Sequence, residues 1–210
     1  MRGLIYKEFS VFYKCIDRKL IFIVFGFTAL LICTAGSYGG LMASILFAMT
    51  IGMQNVMSFT SDEKANWKKY QMAMPLSNFA AVAGKYLSVI CTLSISLLGS
   101  LAFMALAGMV YGGVGAGVWK LSIFAAVLIP LLWTGICLPL TYWFGVQPAQ
   151  AMGMLIIVPV TYLIKYFEDG SGLGEMTVFL SSHLALAIPV TLVLFALSMA
   201  VSAAGYGRKR

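Results

Sequence analysis

Charge is what this sequence has least of. Only 10% of its 210 residues are Asp, Glu, Lys or Arg, against about 25% in a soluble domain. So few polar groups cannot cover a large water-exposed domain. They also exclude a disordered chain, which combines low hydrophobicity with high charge. There are seven acids and one histidine, His183. A triad or a zinc cluster cannot be assembled from one imidazole without an intramembrane acid, so hydrolytic chemistry lacks its parts. His183 reads as an interfacial or packing residue. The four cysteines, Cys15, Cys33, Cys91 and Cys137, lie too far apart for metal-ligand spacing and read as small apolar packing residues. A phosphate loop is missing too. Gly84 and Lys85 are followed by Tyr86, and Phe79 stands where such a loop needs glycine. No metal and no cofactor is expected in this chain.

What the sequence has in abundance is apolar length. It is 61% hydrophobic, with a mean hydropathy of +0.94. Continuous apolar runs at 20–35 and 190–204 oppose the strict alternation of a membrane β-barrel. About 20 helical residues cross a bilayer. The expected fold is therefore an all-α integral membrane protein, one transmembrane domain over 1–210 with six transmembrane helices. Spans one and two are placed at 20–36 and 39–60, joined only by Ser37 and Tyr38. Spans three to six are placed at 82–111, 118–144, 149–164 and 176–205. A glycine-rich turn (112–117) follows span three and a second tight turn (145–148) follows span four, and Pro130 and Pro139 are expected to kink span four. A polar loop occupies 165–175, and a basic tail 206–210. The first apolar run starts after 19 mixed residues without a cleavage-site pattern, so it reads as a retained span.

Twelve of the fourteen basic residues fall on one side of this topology: Arg2, Lys7, Lys14, Arg18, Lys19, Lys64, Lys68, Lys69, Lys85, Arg208, Lys209 and Arg210. Only Lys120 and Lys165 fall on the other. The positive-inside rule then puts both termini in the cytoplasm of a multi-pass plasma-membrane protein. The net charge of +7 is explained by topology, and no nucleic-acid partner is expected.

On these boundaries no span interior carries a charge; Lys85 and Lys120 sit at span ends. Ion-coupled transporters commonly hold such groups at mid-membrane, which weighs against a secondary transporter. Span two carries two stripes. Met42, Leu46, Met49, Met53 and Met57 form an adaptable apolar face. Thr50, Gln54 and Ser58 form a polar one, with Asn55 beside it. These residues could line a translocation path for an amphipathic substrate, or could join helices through amide hydrogen bonds. Ser96, Gly99, Ser100 and Ala107 give span three a small-residue packing face.

Residues 1–19 carry Ile5, Phe9, Phe12, Ile16 and Leu20 on one helical face, with Lys7, Lys14, Asp17 and Arg18 mainly opposite. That pattern predicts an amphipathic helix lying along lipid headgroups. The stretch 61–80 is cytoplasmic. Thr60 and Glu63 have capping-box spacing, Asp62 and Glu63 precede Lys64, Lys68 and Lys69 as a helix dipole favours, and Pro75 would end the helix. Ser77 could cap the next one. A short helix over 61–74 is thus predicted, with Trp67, Tyr70 and Met74 on one face. Spacing alone leaves two roles open for that face: docking a protein partner or resting in the membrane interface.

Lys7-Glu8-Phe9, the tight first hairpin and the series Asp62-Glu63-Lys64, Trp67, Tyr70, Pro75-Leu76-Ser77 and Gly84-Lys85-Tyr86-Leu87 together resemble the ABC type-2 permease family, the membrane subunits of ATP-binding-cassette exporters, in its small six-span bacterial branch. The resemblance implies that 61–74 is a coupling helix seated in a groove of a separate cytoplasmic ATPase, through Asp62, Glu63, Lys64, Trp67, Lys68, Tyr70, Met74 and Pro75. It implies that 1–19 is the interfacial connecting helix, with membrane lipid as its surroundings. It further implies a second permease copy or a sibling permease, ATP and magnesium held by the ATPase, and an exported peptide, antimicrobial compound or other amphipathic substrate. A membrane scaffold or assembly protein is the alternative from another class.

Overall fold

The computed structural model describes residues 2–15, 18–34, 36–67, 70, 77–149, 151 and 173–208. Among them there is no strand. Six helices carry the fold: α1 (Arg2–Cys15), α2 (Arg18–Thr34), α3 (Gly39–Lys64), α4 (Asn78–Tyr111), α5 (Ala116–Phe144) and α6 (Leu173–Arg208).

The α2–α3 hairpin turns through one 3-10 turn, Gly36–Tyr38. Gly36 has φ +61°, a conformation glycine adopts without steric cost. A Cβ at Gly39 would lie 2.7 Å from the backbone of Ile32, so only glycine lets the two helices start this close. The Tyr111 hydroxyl, from the end of α4, donates to the Ile32 carbonyl at 2.5 Å. It thereby supplies a partner to one of the last carbonyls of α2, which have none within their own helix. The α4–α5 turn uses left-handed Gly112 and Gly113. These two turns mark the hairpin end of the bundle; α1 marks the other.

Ser77 accepts from the Ala80 N–H at 3.2 Å and caps α4, in the position its sequence context predicts. The end of α3 differs from expectation. The helix does not stop at Thr60 and restart; it runs unbroken from Gly39 to Lys64. Thr60 and Glu63 are therefore not a capping box, because the backbone N–H groups there are already inside a helix. The sequence turns polar at residue 61 because α3, about 39 Å long at 1.5 Å per residue, outruns an apolar layer of about 30 Å. Asn66, with φ +51°, ends it. The single helix expected over 61–74 is thus replaced by the last turn of α3, a break at Ala65–Asn66, and a helical conformation at Trp67 and Tyr70. Lys68, Met74 and Pro75 lie outside the described residues.

Four described helices are long and apolar enough to cross a membrane: Gly39–Lys64, Phe79–Tyr111, Ala116–Phe144 and Ile188–Tyr206. Phe22–Thr34 is apolar but shorter. The expected span at 149–164 lies outside the described residues except for Ala149 and Ala151.

α3, α4 and α5 pack through small residues and hydroxyls. Gly99 gives room to the Phe47 ring, which would stand 2.2 Å from an added Cβ. Ser122 of α5 donates to Ser44 of α3 at 2.9 Å and lies 2.8 Å from Ser100 of α4. The Pro130 ring leaves the Ala126 carbonyl without its helical donor, and Ser96 of α4 donates to that oxygen at 2.8 Å. Nearer the α1 end, Phe59, Tyr86, Val89, Leu138, Phe195 and Tyr206 belong to an apolar cluster that joins α3, α4, α5 and α6.

Candidate functional site

Three helices bring their charged residues together at the α1 end. α1 packs on α3 and α4, and this places Lys7 and Glu8 against Asp62 and Lys85. Glu8 shares its two oxygens between the lysines: Oε1 takes Lys7 Nζ at 3.0 Å, and Oε2 takes Lys85 Nζ. Asp62 does the same, with Oδ1 on Lys7 and Oδ2 on Lys85 at 2.8 Å. The result is a closed ring of two cations and two anions.

The ring is sequestered. The side chains of Glu8 and Lys85 are 4% and 6% exposed, those of Asp62 and Lys7 15% and 19%. Lys85 spends its third proton on Ser58 Oγ at 3.0 Å and lies 4.4 Å from the Phe59 ring centroid. Lys7 lies 4.6 Å from the Trp67 ring centroid. Charges this buried need every partner, since removal of one strands another in a poor solvent for ions. Asp62 also sits in the last turn of α3, where the exposed carbonyls carry partial negative charge. Its two lysines offset that position.

This geometry redistributes the residues expected from the sequence. Asp62 faces inward and binds the chain's own lysines. Lys85, expected at a span end, is buried and has all its donors engaged. Trp67 is half-buried and covers Lys7. Glu63 and Lys64 are exposed, and Tyr70 is 64% exposed. Phe12, expected on the lipid-facing side of α1, is 5% exposed and packed by protein, whereas Tyr6 and Tyr13 stand out of the bundle. The side chains of Ile5 and Phe9, and all of Ile16, fall outside what is described. Glu8 is a member of the ring that sequence reasoning missed. Its signal was present: at three and four residues from Ile5 and Phe12, it puts a carboxylate on the apolar face of an amphipathic helix, which demands a buried cation.

The stripes of α3 separate as well. Asn55 Nδ2 donates to Thr92 Oγ1 of α4 at 2.8 Å, and Ser58 joins Lys85 and its own helix. Both residues hydrogen-bond to α4. Thr50 bonds to the Leu46 carbonyl at 2.8 Å, and Gln54 is buried. Met42, Met53 and Met57 are exposed, and Met49 is half-buried. Apolar grooves flank α6, one against α4 and one against α5. No group of three His, Cys, Asp or Glu among the described residues could hold a metal.

Apolar spans joined at one end by a sequestered charge ring define an all-α membrane protein. The chain belongs to the ABC-2 transporter family: the family described as "ABC-2 family transporter protein" matches residues 3–207. No curated protein and no solved structure matches it. Members of this family are membrane subunits without catalytic activity of their own.

Proposed function

We propose that this chain is the permease subunit of an ATP-driven exporter in a bacterial cell membrane. The family match over nearly the whole chain carries the reading. The segment after α3 is its working part. α3 ends two residues after Asp62 of the charge ring, and Glu63, Lys64 and Tyr70 are exposed there. A separate ATPase would receive this segment, hold ATP and magnesium, and move the segment on closing. The α1 end is cytoplasmic on the basic-residue asymmetry, with α1 at the headgroups through Tyr6 and Tyr13.

Six spans remain the proposed count. A Cβ at Gly145 would lie 3.8 Å from Glu63, so α5 ends at the α1 end. α6 ends there too, since Gly205 lies against Trp143. Two helices ending on the same side need a connection that regains the opposite side, and the apolar run 149–164 has the length for it. A second permease would meet this one in the membrane. The exposed Met53 and Met57 on α3, beside Gln54, would line the route of a peptide or other amphipathic substrate.

The test is co-purification from membranes with a phosphate-loop ATPase. Trp67→Ala removes the largest ring of the docking segment, at a cost of about 2 kcal/mol or more, and should weaken ATPase binding more than tenfold while the subunit stays inserted. Full ATPase binding and full transport in Trp67→Ala would remove this reading.

A further inference from the structure

Lys85 and Tyr86 are consecutive in α4, so their side chains leave the helix about 100° apart. Lys85 turns to α1 and α3. Tyr86 turns to α6, where its ring packs on Phe195 with centroids 4.9 Å apart. Its hydroxyl lies 2.7 Å from Ser198 Oγ and 2.8 Å from Ser202 Oγ. Ser198 in turn donates to the Gly135 carbonyl of α5 at 2.5 Å. That carbonyl has no donor within α5, because residue 139, four positions on, is proline and carries no N–H. With its own proton committed to Gly135, Ser198 accepts from Tyr86, and Tyr86 accepts from Ser202. The hydrogen bonds run in one direction from α6 through α4 and back to α6, and end on the proline break of α5. The break at Pro130 is served by α4 alone, through Ser96. Of the two proline breaks in α5, the one at Pro139 is tied to both α4 and α6.

We propose that Tyr86 is a positioning residue that carries displacement of the charge ring to the Pro139 break of α5. The proposal rests on the reading that an ATPase moves the segment after α3. Lys85 holds Asp62 and Ser58 of α3 together with Glu8 of α1, so it cannot keep its place when the end of α3 shifts. A rotation of this turn of α4 withdraws the Tyr86 hydroxyl from Ser198, and the hydroxyl of Ser198 then loosens its hold on Gly135. A helix already short of one ladder bond bends there more readily than elsewhere. The two neighbouring side chains thus join the docking end to a weak point within a membrane helix, without any charge entering the apolar layer.

The experiment has two arms. The first uses the isolated subunit in lipid nanodiscs with Trp67, Trp119 and Trp133 replaced by Phe. The remaining Trp143 donates to the Val201 carbonyl at 3.1 Å across the α5–α6 contact. Asp62→Asn should shift Trp143 emission, and the same change in a Tyr86→Phe background should give about a third of that shift or less. Ser58→Ala, which removes only the neutral partner of Lys85, serves in the same way if Asp62→Asn does not fold. An equal shift with and without the tyrosine hydroxyl, or no shift, overturns the proposal regardless of any ATPase. The second arm uses native tryptophans with the ATPase bound. Tyr86→Phe should leave ATPase co-purification unchanged and lower the substrate moved per ATP hydrolysed about threefold or more. Unchanged transport per ATP overturns the coupling role. Success in the first arm with no ATPase recovered sinks the exporter reading and leaves the mechanical link standing.

Discussion

At the α1 end, four full charges from three helices close into a ring. At the hairpin end, three serine hydroxyls and a set of small residues join three helices. Both arrangements satisfy buried polar groups, yet they differ in what failure costs. A serine that loses its partner can turn its hydroxyl to the carbonyl of the preceding turn, as Ser44 already does to Gly40 at 2.7 Å. A carboxylate or ammonium that loses its partner has no such retreat. The hairpin end is built from replaceable contacts. The α1 end is built so that its members stay together or separate together.

The comparison can be broken most completely by asking which end meets which compartment. In a variant lacking all four native cysteines, a Cys at Gly113 should react fully with a membrane-impermeant thiol reagent added to intact cells. A Cys at Asn66 should not react until the cells are opened. The opposite pattern would invert the assignment of the two ends. Next in size is Lys85→Met, which leaves Glu8 and Asp62 sharing Lys7 alone. A loss of about 3–5 kcal/mol is expected in detergent unfolding, with much of it recovered when Glu8→Gln is added, because two opposite charges then remain. A loss under about 1 kcal/mol would mean that water already screens the ring. The smallest effect belongs to the serine cluster. Ser122→Ala should cost about 0.6 kcal/mol, typical of a hydrogen bond between membrane helices. A cost near that of Lys85→Met would erase the distinction between the ends.

The legibility of the sequence follows the same division. The hairpin end was readable because its signals are local: Ser37 and Tyr38 between two apolar runs, and glycines at 112 and 113 after a third. The α4 cap was readable for the same reason, since Ser77 needs only Ala80 beside it. The α1 end was misread where an ambiguous local pattern met a tertiary fact. Thr60 and Glu63 have the spacing of a helix start, but α3 passes straight through them. The acids that looked like first-turn residues of a new helix are last-turn residues of an old one, and Asp62 is tolerated there by lysines from two other helices.

The sequence by itself determined that this is a helical membrane protein, and it marked the long apolar runs at 39–60, 82–111 and 118–144 that form helices of spanning length. These properties depend on composition and on spacing within a few residues. The tertiary structure alone decided that Glu8 finds Lys85, 77 positions away, that Asn55 is bound by Thr92, and that Ser198 covers a carbonyl freed by Pro139. Each of these is a buried polar group whose partner lies on another helix. The need for a partner is written in the residue type, but which residue answers it is set by how the helices pack.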